Sequence, residues 1–74
     1  MKNILITGGG GYVGTNLTQE LLSDGYNVIV LDTFWFGNYL KKHKNLKIIK
    51  KDIRKISLKD INKIDCIIHL ASNA

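Results

Sequence analysis

Short apolar runs, separated by polar and glycine-rich segments, organise the chain. Four of them are rich in β-branched residues: Ile4-Leu5-Ile6, Val28-Ile29-Val30-Leu31, Leu46 with Ile48-Ile49, and Cys66-Ile67-Ile68. Their apolar positions are nearly continuous rather than alternating with polar ones, which is typical of strands buried on both faces of a parallel sheet. The pattern therefore predicts four strands in a sheet that is covered by helices.

A helical pattern lies between the first two runs. Val13, Leu17 and Leu21 recur at four-residue spacing, with Leu22 beside them. Ser23-Asp24-Gly25 then supplies a stop, in which Gly25 suits the left-handed residue after a helix. These residues predict a helix over residues 12 to 24.

The remaining segments predict the connections. Ser57 is a good N-cap, and Asp60, Ile61 and Ile64 follow it with the spacing of a short second helix. Residues 33 to 45 lack a clear period and predict a loop, with one helical turn near residues 39 to 43. Strands that alternate with crossovers imply right-handed βαβ units, so we expect an α/β fold with parallel strands in the spatial order 3-2-1-4.

The segment between the first strand and the helix is rich in glycine: Thr7-Gly8-Gly9-Gly10-Gly11-Tyr12-Val13-Gly14. Gly8 lets the chain turn sharply off the strand, Gly11 lets the backbone approach a pyrophosphate, and Gly14 lets the helix pack close to the sheet. The unpaired N–H groups of Tyr12 and Val13 lie at the positive end of the helix dipole, which favours phosphates. A merely flexible loop is the alternative, and the position between a strand and a helix argues against it.

An acidic residue, Asp32, ends the second strand 18 residues after Gly14, close to the separation expected for a carboxylate that binds ribose hydroxyls. It would repel a 2′-phosphate, and the following residues 33 to 36 contain no Arg or Lys to bind one, so NAD is favoured over NADP. A carboxylate that caps a turn is the alternative. A triphosphate-binding loop is excluded, because no lysine stands between Gly14 and Thr15.

Composition further narrows the class of protein to which the chain can belong. The chain has 74 residues, 45% of them hydrophobic, with a single cysteine and two histidines, so one small domain without an intrachain disulfide or a usual zinc-ligand spacing is expected. We expect neither a signal peptide nor a membrane span, and therefore a cytoplasmic chain. The net charge is +5, and nine of the ten lysines lie between Lys41 and Lys63. Because this stretch has one arginine and no aromatic residue, we interpret it as solvated surface and not as a nucleic-acid interface.

Four collinear motifs carry a family resemblance: ILITGGGGYVG, VIVLD, KKDIR and DCIIHLAS. Together they resemble the N-terminal part of an extended short-chain dehydrogenase/reductase, in the NAD-dependent epimerase/dehydratase group that acts on nucleotide sugars, such as UDP-glucose 4-epimerase-like enzymes. The match covers essentially the whole chain. It implies that residues 1–74 are the first half of a Rossmann-type NAD-binding domain, and that a nucleotide-sugar site and a homodimeric assembly belong to a longer parent protein.

The resemblance also implies roles for individual residues. The pyrophosphate would lie against Gly8, Gly11, Tyr12, Val13 and Gly14, and the adenosine ribose against Asp32. The adenine would lie against Asp52 and Ile53, and the ribose next to the nicotinamide against Leu70, Ala71 and Ser72. For Asp52, an N-cap or a solvated acid is an equally good interpretation. His69 and Cys66 are expected to be core residues, with His69 hydrogen-bonded, and Phe34, Trp35 and Phe36 to pack over the end of the sheet or flank the adenine.

The catalytic pair of the family is a Tyr-x-x-x-Lys motif, in which the tyrosine moves a sugar hydroxyl proton while NAD takes the hydride. None of the tyrosines has a lysine four residues later, so no catalytic residue is assigned in this chain. We therefore expect a fragment, marginally folded by itself, with an exposed apolar edge at the fourth strand. Three hypotheses remain for the parent: a nucleotide-sugar epimerase or dehydratase, a non-catalytic dinucleotide-binding module, and an NADPH-dependent reductase of nucleotide-linked keto sugars.

Overall fold

The computed structural model describes residues 2–8, 10–34, 40–57, 59 and 63–70. The elements, in chain order, are β1 (Asn3–Thr7), α1 (Tyr12–Ser23), β2 (Asn27–Asp32), β3 (Leu46–Lys50), a 3-10 turn (Ile53–Lys55) and β4 (Cys66–His69). All four predicted strands and the first helix are therefore present, with bounds close to those expected from the sequence.

The four strands form one sheet in the order β3-β2-β1-β4. All three pairings are parallel, and their register brings Thr7 opposite both Leu31 and His69, while Asp32 lies opposite Lys50. The carboxyl ends of the strands thus meet at one edge of the sheet. This arrangement confirms the predicted Rossmann-type topology.

The central strands form the core. In β1 and β2 the side chains of Leu5, Ile6, Val28, Val30 and Leu31 are buried almost completely, and each stabilises the fold by about 1.5–3 kcal/mol.

The outer strands are more open than the central ones, and β4 has the exposed apolar edge that was expected. Ile48 of β3 and Ile67 of β4 are exposed, the latter by 55%, and Cys66 is exposed too. The prediction of a buried Cys66 is therefore wrong. A strand side chain is buried only where another element covers its face of the sheet, so an apolar sequence does not by itself guarantee burial on both faces.

Helix α1 faces the core largely with the residues that its spacing singled out. Gly14, Thr18 and Leu22 are buried, and Leu17 and Leu21 are half-buried and pack against the core, whereas Val13 is 65% exposed. Residues three and four positions apart share one helix face, so these residues form one contact stripe. The small side chain of Gly14 permits the close helix–sheet approach that was expected of it.

The ends of the helix agree with the sequence. Asp24 is the C-cap, and Gly25 adopts a left-handed backbone with φ of +93°.

After β2 the chain carries no helical turn over residues 40–43, where one was expected, and Tyr39 lies outside the described residues. The predicted second helix also falls largely outside them: Asp60 and Ile61 are not described, and Ser57 and Ile64 are not helical.

Candidate functional site

The carboxyl edge of the sheet brings together residues from every strand. The strand ends are joined there by backbone hydrogen bonds: Gly8 N–H to Leu31 O at 2.8 Å, Lys51 N–H to Asp32 O at 2.9 Å, and Leu70 N–H to Thr7 O at 2.8 Å. This edge therefore holds the glycine-rich turn, Asp32, Leu70 and the 3-10 turn that follows Asp52, which is called the Asp52 turn below. Most of the residues singled out from the sequence share this single location.

The glycine-rich turn leads directly into the N-terminus of α1. Gly8 has φ of +78°, a left-handed conformation that turns the chain off β1, as predicted. Gly11 is the N-cap, no side chain caps the helix, and the first turn contains no acidic residue. The first hydrogen bond of the helix runs from Thr15 N–H to Gly11 O at 2.8 Å. The N–H groups of Tyr12 and Val13 precede that bond, so helix geometry leaves them without an intrahelical acceptor.

The space outside this helix end is open. A Cβ built on Gly11 would meet no described neighbour nearer than Gly8 O, at 3.9 Å, and Tyr12 and Val13 are 86% and 65% exposed. An anionic group could therefore approach the backbone closely, where the helix dipole favours negative charge. These residues fit a dinucleotide pyrophosphate.

Asp32 is half-buried and links the glycine-rich turn to the end of β2. Its Oδ2 accepts the Gly10 N–H at 2.8 Å, and its Oδ1 accepts the Phe34 N–H at 2.9 Å and, at 3.5 Å, the Thr33 hydroxyl. The alternative interpretation of Asp32, a carboxylate that caps a turn, therefore holds for Oδ1. A carboxylate has about four lone-pair sites, so acceptor capacity remains for ribose hydroxyls.

Two further residues belong to this cluster: Gly10, which had no role assigned from the sequence, and Phe34, which was expected to pack over the end of the sheet or flank the adenine. A Cβ on Gly10 would lie 2.7 and 2.8 Å from two ring atoms of Phe34 and 2.9 Å from Asp32 Oδ2, so a larger residue there would have to displace the ring or the carboxylate. Phe34 itself has φ of +54°, a left-handed conformation that is uncommon for an aromatic residue. The one sequence signal was the run of four glycines, Gly8 to Gly11, of which only Gly8 and Gly11 had an assigned role.

Asp52 lies two residues beyond β3 and is already engaged by Arg54. Its Oδ1 accepts the Arg54 backbone N–H at 2.9 Å, and its Oδ2 accepts the guanidinium Nη2–H at 2.7 Å, with Nε 3.2 Å from both oxygens. Hydrogen bonds from this side chain and from the backbone N–H lower the pKa of Asp52 from 3.8 to about 2. Asp52 thus caps the 3-10 turn that begins at Ile53. This agrees with the interpretation of Asp52 as an N-cap.

Beyond β4, Leu70 is half-buried and packs against the core. Ala71 and Ser72, which complete the predicted set of site residues, lie outside the described residues. His69 is exposed rather than buried, which the sequence interpretation missed, although its Nδ1 is hydrogen-bonded to the Thr7 hydroxyl as expected. Trp35 and Phe36 also lie outside the described residues.

Among the described residues, no three His, Cys, Asp or Glu side chains are grouped so as to hold a metal ion. None of the described helices has the length and apolar character needed to cross a bilayer.

A parallel sheet of order 3-2-1-4, with a glycine-rich turn into an uncapped helix and an acidic residue ending β2, defines a Rossmann-type fold. Residues 4–74 match the sequence model of the NAD dependent epimerase/dehydratase family, so the chain belongs to this family. The family resemblance that was drawn from the four motifs is confirmed.

Individual relatives agree with this assignment. The chain is 40% identical over 78 residues to UDP-glucuronic acid decarboxylase 1 of Danio rerio, an alignment that covers 99% of the chain and 18% of that protein. It is 33% identical over 75 residues to a putative UDP-glucose 4-epimerase of Methanocaldococcus jannaschii, covering 93% of the chain and 24% of that protein. The chain therefore spans only about a fifth to a quarter of the length of these relatives.

Solved structures support the same family assignment. The epimerase Mth375 of Methanothermobacter thermautotrophicus superposes with a TM-score of 0.86 and 34% identity, over 97% of this chain and 23% of that one. The Bordetella bronchiseptica enzyme WbmH, solved with NAD⁺, gives a TM-score of 0.88 and 31% identity over 100% and 27% of the two chains. NAD is thus the cofactor of the family and of solved neighbours.

Proposed function

We propose that residues 1–74 are the N-terminal, NAD-binding part of a nucleotide-sugar epimerase or dehydratase. The observation that carries the proposal is the carboxyl edge of the sheet, where the uncapped end of α1 and the Asp32 carboxylate are held next to each other by the Gly10 N–H. This pairing provides adjacent sites for an anion and for ribose hydroxyls, which is what the adenosine half of a dinucleotide requires.

Each part of the cofactor has a proposed set of contacts. The pyrophosphate would be held by the backbone of the glycine-rich turn and of the first turn of α1: Gly8, Gly11, Tyr12, Val13 and Gly14. Asp32 would accept from the adenosine ribose. The adenine would lie beside Asp52 and Ile53, and the nicotinamide ribose beside Leu70, Ala71 and Ser72.

The role of this chain in the reaction is binding and orientation. When bound, NAD supplies a hydride acceptor for the oxidation of a sugar hydroxyl. The residues at the carboxyl edge would hold its two ends against the sheet, with Asp32 excluding a 2′-phosphate by charge repulsion. The proton transfer that accompanies hydride transfer needs a tyrosine–lysine pair, which residues 1–74 lack, so we assign it to a part of the parent protein outside this chain.

A titration with NAD⁺ tests the proposal on the chain itself. In ¹H–¹⁵N spectra we expect the amide signals of Gly11, Tyr12, Val13 and the Asp52 turn to shift, because these groups would contact the ligand. Amides at the opposite, amino-terminal edge, such as that of Asn27, should not shift and provide the internal control. Shifts confined to the amino-terminal edge, or none at millimolar NAD⁺ with a well-dispersed spectrum, would contradict the proposal.

A chimera tests the same proposal in a longer protein. Residues 1–74 would replace the corresponding segment of a UDP-glucose 4-epimerase, whose remaining sequence supplies the tyrosine–lysine pair. We expect the chimera to retain NAD⁺ and epimerase activity, and the Gly11→Val variant to lose both, because a branched side chain would fill the space through which the pyrophosphate approaches. A folded chimera without bound NAD⁺ would be the contrary result.

A further inference from the structure

The residue two positions after Asp32 is held in an unusual way. Phe34 has φ of +54°, although nothing in its side chain favours a left-handed backbone, and its ring packs against the core as well as against Gly10. A bulky residue stays in such a conformation only where its surroundings over-determine it, and such positions are concentrated at functional sites. The contacts of Phe34 therefore need an explanation beyond filling space.

Phe34 acts on the Asp32 carboxylate in two ways, through its backbone N–H and through its ring. The Phe34 N–H donates to Oδ1 at 2.9 Å, closing a turn over Asp32 and Thr33. The ring, in turn, lies directly over Gly10, whose own N–H donates to Oδ2 at 2.8 Å. One residue thus supplies the donor to one carboxylate oxygen and packs against the residue that supplies the donor to the other.

Two donors on different oxygens determine the orientation of a carboxylate, since rotation about its last bond would break both hydrogen bonds at once. Both donors are backbone N–H groups and each uses one of about four lone-pair sites. The Thr33 hydroxyl makes a longer contact with Oδ1, at 3.5 Å, so acceptor capacity remains, and the two backbone bonds hold it in a constant direction. A preorganised acceptor of this kind loses little conformational entropy when a ligand hydroxyl binds.

We propose that Phe34 is a positioning residue that orients Asp32 for the adenosine ribose and so sets the selectivity of the site for the ribose hydroxyl. This inference rests on the proposed function, because it assumes that Asp32 accepts from the 2′-hydroxyl of the bound dinucleotide. Phe34 itself need not touch the ligand. Its ring holds the Gly10 backbone, its backbone N–H holds the carboxylate, and the hydroxyl is recognised by the acceptor sites that remain.

The test compares NAD⁺ with its analogue that contains 2′-deoxyadenosine, which lacks the hydroxyl in question. Affinities are measured on the 74-residue chain by NMR titration, and on the epimerase chimera by calorimetry in case a variant of the short chain does not fold. We expect the parent sequence to bind NAD⁺ at least tenfold more tightly than the deoxy analogue, since a hydrogen bond to a charged acceptor has about that effect.

Phe34→Gly is the diagnostic variant, because glycine tolerates the left-handed backbone and removes only the ring. We expect its preference for NAD⁺ over the analogue to fall to about threefold or less, with the affinity for the analogue almost unchanged. Phe34→Tyr retains the ring and should restore the full preference. Phe34→Leu, which keeps an apolar group and part of the packing, should give an intermediate value.

The outcomes separate the two proposals. If Phe34→Gly weakens both ligands equally and keeps the preference, the residue is merely structural and the inference is wrong, while the proposed function stands. Asp32→Ala provides the reference, because it should abolish the preference whatever the role of Phe34. If the parent sequence binds NAD⁺ and the analogue equally well, Asp32 does not contact the 2′-hydroxyl, and the inference fails together with that part of the proposed function.

Discussion

Gly10→Ala probes the contact on which the geometry of the site depends. The added Cβ would lie 2.7 and 2.8 Å from the Phe34 ring and 2.9 Å from Asp32 Oδ2, all shorter than real Cβ contacts. The backbone at Gly10 is not left-handed, so alanine is not excluded by its own conformation. The substitution therefore tests side-chain space alone: either the ring or the carboxylate must move.

The size of the effect follows from three contributions. Overpacking costs about 1–3 kcal/mol, and weakening the Gly10 N–H bond to the carboxylate costs up to about 1.5–3 kcal/mol. The lower conformational entropy of alanine in the unfolded chain offsets about 0.4–1 kcal/mol of this. We expect a net loss of about 2 kcal/mol in the free energy of unfolding, roughly a thirtyfold change in the ratio of folded to unfolded protein.

Urea denaturation measures this loss, and Gly11→Ala is the matched control. With a slope of about 1 kcal/mol per molar urea, the Gly10→Ala midpoint should fall by about 2 M. At Gly11 the nearest described atom to a new Cβ is 3.9 Å away, so stability should change by less than about 1 kcal/mol while NAD⁺ affinity falls. If Gly10→Ala unfolds at the same urea concentration as the parent chain, the packing of Phe34 over Gly10 is not as described.

Three further predictions concern other parts of the chain. The buried Thr18 hydroxyl has no hydrogen-bond partner within the described structure, so Thr18→Val should raise the free energy of unfolding by about 1 kcal/mol, measured by urea denaturation. The pKa of Asp52, lowered from 3.8 to about 2, means that its contact with Arg54 stabilises the fold above pH 3.8 and is lost as the pH falls through 2. Carboxyl ¹³C titration should show this, and Arg54→Ala should return the pKa toward 3.8. Ile67, 55% exposed on edge strand β4, should promote self-association; Ile67→Lys should reduce it in sedimentation experiments without loss of the sheet, and unchanged association would implicate another surface.

Much of the fold could be predicted because its signals are local. Runs of β-branched residues indicate strands, and the stop after Ser23 indicates the end of α1, whatever the rest of the chain does. The parallel order then follows from the handedness of the crossovers. The candidate site was predictable for a related reason: ligands of such sheets lie at the carboxyl ends of the strands, which places Gly8 and Asp32 near each other once their strands are known.

Apart from the helical turn that residues 40–43 do not form, the errors in the sequence interpretation concern burial. Val13 belonged to the apolar pattern of α1 but is 65% exposed, and Cys66 was expected in the core but is exposed. Burial depends on what packs against an element, and that information lies in other segments. An apolar pattern indicates which side chains favour burial, whereas the neighbours of each strand determine which of them achieve it.

The amino-acid sequence by itself determined the elements, their order and the residue types at the carboxyl edge. It could not determine how Gly10, Asp32 and Phe34 share that edge, because the hydrogen bond that joins Gly10 to Asp32 spans 22 residues. It also left open whether Asp52 is solvated or engaged, which the Arg54 side chain decides in the folded chain. Periodicity and connection handedness act over a few residues, whereas side-chain orientation at a site results from contacts that exist only after the strands have paired.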